Sequence, residues 1–321
     1  MLKRIAVMTS GGDSPGMNAA IRAVVRVAIH EGVEEVWGIY NGYVGMYEDK
    51  MVKLDSRSVG DILHRGGTFL GTARCEIFKT LEGRQQAAEN LKRRGIEGVV
   101  IIGGDGSLRG AQLLSELGIS VVGLPGTIDN DIWGTDYTIG FDTAANTVVE
   151  AINKLRDTAS SHGRVIVLEV MGRNSGWIAM TSGLAGGAEQ ILIPEMTVNL
   201  DDLCTNLSKS RDAGKKYSIV VVAEGVGSAV DIGEKIAKDT GLDTRVSVLG
   251  HIQRGGSPSV FDRILASTLA EHAAVALISG ISNVLFGSKN GAVVAIDLAD
   301  AIGHKRAIDA STFRLGTILS Q

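Results

Sequence analysis

The chain is poor in aromatic residues and in proline: 4% of its 321 residues are Phe, Trp or Tyr, and prolines number 4. Only two cysteines occur, Cys75 and Cys204. That excludes a disulfide framework or a cysteine-built metal cluster and fits a reducing compartment. No apolar run approaches the roughly 18 residues of a membrane span. No signal-peptide pattern precedes the first strand-like run, RIAVMTS, so a cytoplasmic protein with no membrane partner is expected. Positive charge is not in excess: the formal net charge is −4, which argues against a nucleic-acid surface. Low-complexity segments and internal repeats are also missing. With so few rings, aliphatic side chains must fill the core. Hydrophobic residues make up 44% of the chain, enough for two domains of ordinary size.

Glycine, by contrast, is abundant, with 42 residues, many of them directly after apolar runs. That placement suits close approach of backbone to a ligand rather than a flexible linker. Strand-like runs are Ile5–Thr9, Val36–Tyr40, Gly98–Ile102, Ser120–Leu124, Val165–Val170, Ile219–Ala223, Arg245–Leu249 and Ala292–Ile296. Helix-like stretches such as Ala19–His30, Arg84–Arg94 and Thr143–Thr158 lie between them. The alternation predicts βαβ units and mostly parallel sheets. Crossings between two sheets are expected near Asp136–Gly140 and Gly250–Gly256.

Two loops carry the chemistry. GVVIIGGD ends in Gly103–Ser107, and SVVGLPGT runs into Thr127–Asp131. Ligands bind beyond the carboxyl ends of parallel strands, and these loops place Asp105, Asp129 and Asp131 there. Carboxylates beside phosphates suggest a bridging metal and a proton acceptor, hence phosphoryl transfer. Asp105 could hold Mg²⁺ directly or through water, or could simply cap a helix. In extended backbone Thr127, Asp129 and Asp131 face one side. Asp129 could then take a hydroxyl proton while Thr127 holds a phosphoryl oxygen, the alternative being a solvated loop. TSGGDSPGMN (9–18) opens a helix after the first strand and offers bare N–H groups to an anion, or is a tight capped turn. It matches neither a Walker A loop nor GxGxxG. Arg164, Arg173, Arg245, Arg254, His251 and Glu224 all stand at strand ends. Taken singly each reads as a surface or structural residue; together they suggest a sugar-phosphate pocket. Arg22 and Arg26, one helical turn apart, read by themselves as a solvated charged face.

From Lys3 to about Leu269 the sequence resembles the bacterial ATP-dependent 6-phosphofructokinases. TSGGDSPGMNAAIR, HRGGTFLGTAR, GGDGS, PGTIDNDIWGTDYTIGFDTA, VMGRNSG, VAEGVGS and LGHIQRGGSPS carry the likeness. The resemblance implies an α/β fold of two Rossmann-like three-layer domains with mostly parallel sheets. The larger, ATP-binding domain would comprise 1–138 plus 252–305, and the smaller, sugar-phosphate-binding domain 139–251 plus 306–321. It implies transfer of the γ-phosphate of ATP to the 1-hydroxyl of fructose 6-phosphate, with Mg²⁺ at Asp105. Gly12, Tyr43, Arg74, Cys75 and Gly103–Ser107 (Gly104, Asp105, Gly106 and Ser107 among them) fall where the family binds ATP. Asp129 falls at the catalytic base, with Thr127 and Arg173 as electrostatic partners. Thr127, Ile128, Asp129, Asp131, Met171, Gly172, Arg173, Glu224, His251 and Arg254 fall at the sugar-phosphate site. Arg164 and Arg245 match arginines that reach that site from a neighbouring subunit of a homotetramer. A second, allosteric site for ADP or phosphoenolpyruvate would involve Arg22, Arg26, Asp61, Arg156, Gly187, Glu189 and Lys215.

Four positions depart from the family pattern. Ser56 stands where many relatives have Arg, with Arg57 next to it. Ala213 stands where another Arg is common, with Arg211 nearby. Tyr217 replaces a frequent His, and Trp177 replaces a common Asp. The main rival is the pyrophosphate-dependent enzyme of the same fold, whose phosphate loops carry Asp where this chain has Gly106 and Lys where it has Gly126, so both glycines favour ATP. A non-catalytic sugar-phosphate sensor would need no base at Asp129. A lipid or NAD kinase shares a GGDG-type loop but has no use for the arginine and histidine set.

Overall fold

In the computed structural model, which describes residues 2–308 and 310–319, the apolar runs become strands of two separate sheets. In chain order the strands are β1 (Arg4–Ser10), β2 (Glu35–Ile39), β3 (Met51–Leu54), β4 (Gly98–Gly103), β5 (Ser120–Pro125), β6 (Val165–Val170), β7 (Gln190–Leu192), β8 (Ser218–Ala223), β9 (Thr244–Val248), β10 (Val284–Lys289) and β11 (Ala292–Asp297). All eight expected strands form. β3, β7 and β10 were not foreseen. β7 has three residues, and β3 is mostly half-exposed, so neither presents an apolar run. β10 pairs antiparallel with β11 around Asn290-Gly291, both at positive φ. That is an Asn-Gly hairpin turn, whose signal lies in the turn and not in the strand.

The chain divides into two units. The first comprises Met1–Ile128, Ile132–Thr143 and Arg254–Arg306; the second comprises Asp129–Asp131, Ala144–Gln253 and Ala307–Gln321.

The sheet of the first unit has the order β11-β10-β5-β4-β1-β2-β3, parallel except at its two edge pairs, β10–β11 and β2–β3. Both faces are covered, which explains why its central strands read as unbroken apolar runs. Ile5, Val7, Val100 and Ile102 point to the side of helices Met17–His30 and Val260–Ile278. Ala6, Met8, Val99 and Ile101 point to the side of helices Leu81–Arg93 and Asp105–Ser115. Each such Val or Ile, fully buried, contributes roughly 1.5–3 kcal/mol. The shortage of rings is met by close helix packing. Met17–His30 and Val260–Ile278 pack together, and the core they share holds Ala19, Ala20 and Ala23 of the first and Ala266, Ala270 and Ala273 of the second. β1 lies between β2 and β4, so connections leave it in opposite directions and a crevice opens beyond its carboxyl end.

The second unit's sheet, β7-β8-β6-β9, is parallel throughout. Val165, Val167, Val220 and Val222 pack against Leu203, Leu207, Ile232 and Ile236 of helices Leu200–Asp212 and Ala229–Thr240. Among the described residues, no helix is long and apolar enough to cross a membrane.

Candidate active site

At the carboxyl edge of the first sheet, Ser10 of β1 lies beside Gly103 of β4. A side chain at Gly103 would collide with Ser10 O (2.5 Å) and Ser107 Cβ (2.6 Å), so only glycine lets the two loops approach. Gly104 is extended at the start of helix Asp105–Ser115 and makes no side-chain cap, and since Ser107 N already donates to Gly104 O, the N–H groups of Asp105 and Gly106 are the ones that face an anion. A side chain on Gly106 would meet nothing within 4 Å. Gly126 differs: a Cβ there would stand 2.9 Å from Ile102 Cγ2 and 3.0 Å from Met17 Cε. Packing therefore dictates Gly126, whereas Gly106 faces open space.

The floor of this region is built by residues with different tasks. Tyr43 is buried, stacks on Phe78 with ring centroids 4.0 Å apart, and donates its hydroxyl to Ser107 O at 2.6 Å. Burial pushes its hydroxyl well above the ordinary tyrosine pKa, so it stays a neutral donor. Burial likewise raises the Cys75 thiol. Arg74 is exposed and, among the described residues, makes no side-chain hydrogen bond or ion pair. The segment 65–72 that leads to it is pinned by residues the sequence reading missed. Asn18 donates to Arg65 O (3.1 Å) and Gly66 O (3.2 Å) and accepts from Phe69 N (2.6 Å), while Thr9 donates to Gly71 O (2.9 Å). The expected metal residue, Asp105, is half-exposed and accepts from Arg109 Nε at 3.0 Å. Among the described residues, no three His, Cys, Asp or Glu side chains cluster to hold a metal ion. One carboxylate fits a hard cation bound mainly through water and phosphate oxygens.

Arg254 also belongs to this unit. It donates to Asp13 O (3.2 Å), and its guanidinium lies against Gly12. Thr127 is buried, 3.5 Å from where a Cβ on Gly104 would stand, and its carbonyl accepts from Thr138 Oγ1 (2.6 Å). Ile128 is fully buried.

The alternation inferred for Thr127, Asp129 and Asp131 does not hold. The backbone bends at Ile128–Asp129, and Asn130 is left-handed (φ 51°). Extended backbone is what would put i and i+2 on one side, and it is interrupted here. Thr127 and Asp129 are buried, and Asp131 is half-buried.

In the second unit Asp129 has Arg173 Nε 3.9 Å from its Oδ2, and its carbonyl accepts from Ser175 Oγ at 2.9 Å. Arg173 is left-handed (φ 55°) and follows Gly172 (φ 141°). Met171, Gly172 and Arg173, together with Glu224 and His251, follow the carboxyl ends of β6, β8 and β9. Arg164 and Arg245 do not join them. Arg164 precedes β6, and Arg245 is paired with Ile166 near the start of that strand. They lie at the amino edge of the sheet, roughly 15–20 Å away at about 3.3 Å per strand residue. The inference that all these residues share one strand-end pocket is thus corrected, because strand direction separates them. Both arginines are held by Asp243, at 2.8 and 3.0 Å, and hydrogen bonding from Arg164 keeps the Asp243 carboxyl below its usual pKa.

The residues expected at a second anion site fall in both units. In the first, Arg26 donates to Ser56 O (3.4 Å), and Asp61 pairs with Arg65 (3.1 Å). Burial, with Arg26 nearby, lowers the Arg22 pKa. In the second, Arg156 donates to Gly187 O (2.9 Å) and to the hydroxyl of Tyr217 (3.2 Å), and Lys215 stands 3.4 Å from Glu189. Tyr217 is thus the partner of Arg156. A cavity of about 500 Å³ in the same unit is walled by Arg164, Arg211, Lys215 and Lys216, with no carboxylate in its lining. Trp177 opens helix Trp177–Gly186, and nothing in the structure explains the choice of tryptophan.

Residues 4–277 match the model of the family described as "Phosphofructokinase". The chain is 59% identical, over 99% of its length and 100% of the relative's, to an ATP-dependent 6-phosphofructokinase of Bacillus pumilus. It is 57% identical, with the same coverage, to the ATP-dependent 6-phosphofructokinase of Bacillus subtilis. Among solved structures it resembles phosphofructokinase from Saccharomyces cerevisiae (TM-score 0.87, 39% identity), covering 94% of this chain and 45% of that one. It also resembles a pyrophosphate-dependent phosphofructokinase from Marinobacter aquaeolei (TM-score 0.88, 21% identity), covering 99% of this chain and 91% of that one. At that identity the likeness speaks only for a shared fold.

Proposed function

The chain belongs to the phosphofructokinase family, and from that membership we propose how its residues divide the work of phosphoryl transfer. It is a phosphotransferase that uses ATP to phosphorylate fructose 6-phosphate at the 1-hydroxyl, giving fructose 1,6-bisphosphate and ADP. The observation that carries the nucleotide assignment is the uncapped amino end of helix Asp105–Ser115, with open space at Gly106. A Cβ at 106 has open space around it, so the main effect of an Asp there would fall on the ligand, by crowding and repelling an α-phosphate. Glycine leaves room for a whole nucleotide and favours ATP over pyrophosphate.

Phosphoryl transfer from ATP relies on a divalent cation that neutralises charge on the β- and γ-phosphates. We assign it to Mg²⁺, with Asp105 as its protein ligand, a role in which Arg109 would have to yield. Gly12, Tyr43, Arg74, Cys75 and Gly103–Ser107 form the nucleotide region, Tyr43 acting as a buried prop for Ser107. Asp129 takes the proton of the attacking hydroxyl. Asp129 is a buried carboxylate with the Arg173 guanidinium 3.9 Å away, the kind of group that serves as a general base. Arg173 and Thr127 stabilise charge on the transferring group. Met171, Glu224, His251 and Arg254 hold the sugar phosphate. Arg164 and Arg245, at the far edge of their own sheet, serve the site of a neighbouring subunit in a homotetramer.

We further assign Arg22, Arg26, Asp61, Arg156, Gly187, Glu189 and Lys215 to an effector site for ADP and phosphoenolpyruvate. It lacks two family arginines at Ser56 and Ala213, and Arg211, on the wall of the cationic cavity beside Lys215, supports partial compensation. A cytoplasmic location accords with two free cysteines. A coupled assay with fructose 6-phosphate and ATP, GTP or pyrophosphate tests the central reading: turnover with ATP and little with pyrophosphate is expected, and the reverse would refute it.

A further inference from the structure

Three consecutive peptide N–H groups in the segment after β6 end on two side chains from elsewhere in the same unit. Met171 N donates to Gln253 Oε1 at 3.2 Å. Gly172 N and Arg173 N both donate to Glu224 Oε1, at 3.1 and 2.7 Å. Gln253 uses its other end as well, donating through Nε2 to Gly250 O at 3.0 Å. Its side chain is wholly buried, so it touches no substrate. The backbone it holds is unusual. Gly172 (φ 141°) and Arg173 (φ 55°) lie in the left-handed half of conformational space, which a non-glycine keeps only where its surroundings over-determine it. Gly250 (φ 52°), at the other end of the clamp, opens the turn that carries His251.

We propose that Gln253 is a positioning residue for phosphoryl transfer: by tying the Met171 peptide to the Gly250 turn, it fixes the backbone that aims Arg173 at Asp129. This rests on the kinase reading above. A carboxamide is suited to the task because the clamp needs an acceptor for Met171 N and a donor for Gly250 O on one planar group. A hydrocarbon offers neither, and a side chain one methylene shorter cannot span both.

The test uses the full chain, with Gln253→Met, Gln253→Asn, Arg173→Ala and the Gln253→Met/Arg173→Ala double variant. Each is checked for folding by thermal unfolding and assayed with fructose 6-phosphate and ATP. In the single Gln253 variants kcat should fall at least about tenfold, towards the ~10²-fold that a misplacement of about 1 Å costs. The KM for ATP should stay within about twofold, because the nucleotide loops belong to the other unit. In the Arg173→Ala background, Gln253→Met should cost less than about twofold more, since the group being aimed is gone. Hydrogen exchange on the wild-type protein gives a readout that needs no variant: the amides of residues 171–173 should be protected like those of β6. Wild-type kcat in the Gln253 variants, an equal loss in the Arg173→Ala background, or exchange at surface-loop rates would each overturn the proposal. Full kcat in Arg173→Ala would overturn it too. Failure of the wild-type protein to turn over fructose 6-phosphate with ATP would instead refute the reading on which it rests.

Discussion

The guanidinium of Arg254 lies against Gly12, so that a Cβ at position 12 would stand 3.0 Å from Arg254 Cζ and overlap Nη1. Arg254 also donates to Asp13 O at 3.2 Å, tying it to the loop after β1. A side chain at position 12 would push aside the guanidinium of an arginine 242 positions later, whereas φ has no part in it, since Gly12 is not among the residues with positive φ.

Gly12→Ala should therefore displace Arg254 while leaving the fold intact. A lost charge-assisted hydrogen bond to phosphate is worth about 1.5–3 kcal/mol. The KM for fructose 6-phosphate should accordingly rise tenfold or more, with little change in thermal midpoint. Steady-state kinetics decide it, and an unchanged KM would remove Arg254 from the sugar-phosphate site.

The two loop glycines should respond differently. Gly106→Asp meets open space, so stability should change by no more than about 0.5 kcal/mol, while the KM for ATP rises at least tenfold and fructose 6-phosphate still binds. Gly126→Ala forces a Cβ against Ile102 and Met17, and should cost about 1–3 kcal/mol as an overpacked site. Urea denaturation and ATP titration on both variants separate a ligand effect from a packing effect. Equal destabilisation would contradict the distinction.

Asp129→Ser should lower kcat by about 10²–10⁴, the span of a lost general base, with substrate binding retained. Arg164→Ala should chiefly raise the KM for fructose 6-phosphate. Mixed after dissociation and reassembly, the two chains should partly restore activity, because a hybrid can pair an intact Asp129 with an intact Arg164 from its neighbour. Verified hybrids without recovered activity would rule out a shared site.

Asp262 is a buried carboxylate that accepts from Gly140 N (2.8 Å), Thr143 N (2.8 Å) and the Thr143 hydroxyl, capping the helix that starts at Phe141. Burial raises its pKa from 3.8 to about 6, with the hydrogen bonds only partly offsetting it. The folded chain thus holds a proton that the unfolded chain releases near pH 4. This contribution to stability is complete below about pH 4 and is lost as pH rises through 6, by about 3 kcal/mol in total. Urea denaturation of wild type and Asp262→Asn between pH 4.5 and 7 checks it. The stability of the wild type relative to the variant should fall as pH rises, and a flat difference would mean that Asp262 titrates as an ordinary carboxyl.

Much of this was legible in the sequence because it is written in local patterns. Unbroken β-branched runs such as Val99–Ile102 specify buried parallel strands, and the glycines that follow mark where backbone meets ligand. The motif residues, from Gly103–Ser107 to His251, carry the family likeness in sequence alone. Edge elements were less legible: three residues of β7 bury too little to leave a pattern, and β10 hid behind an Asn-Gly turn.

What only the tertiary structure decided is which distant residues meet, and on which side. The pairing of β9 with β6 sets Arg245 level with Ile166, at the same edge of the sheet as Arg164 and opposite Arg173 and Glu224. A left-handed Asn130 breaks the alternation that sequence spacing implied for Thr127, Asp129 and Asp131. The packing of Arg254 on Gly12, the clamp from Gln253 to Met171 and the cap at Asp262 join residues 82 to 242 positions apart. Such contacts follow from long-range packing of preformed strands and helices, and no local window of sequence contains both halves of the interaction.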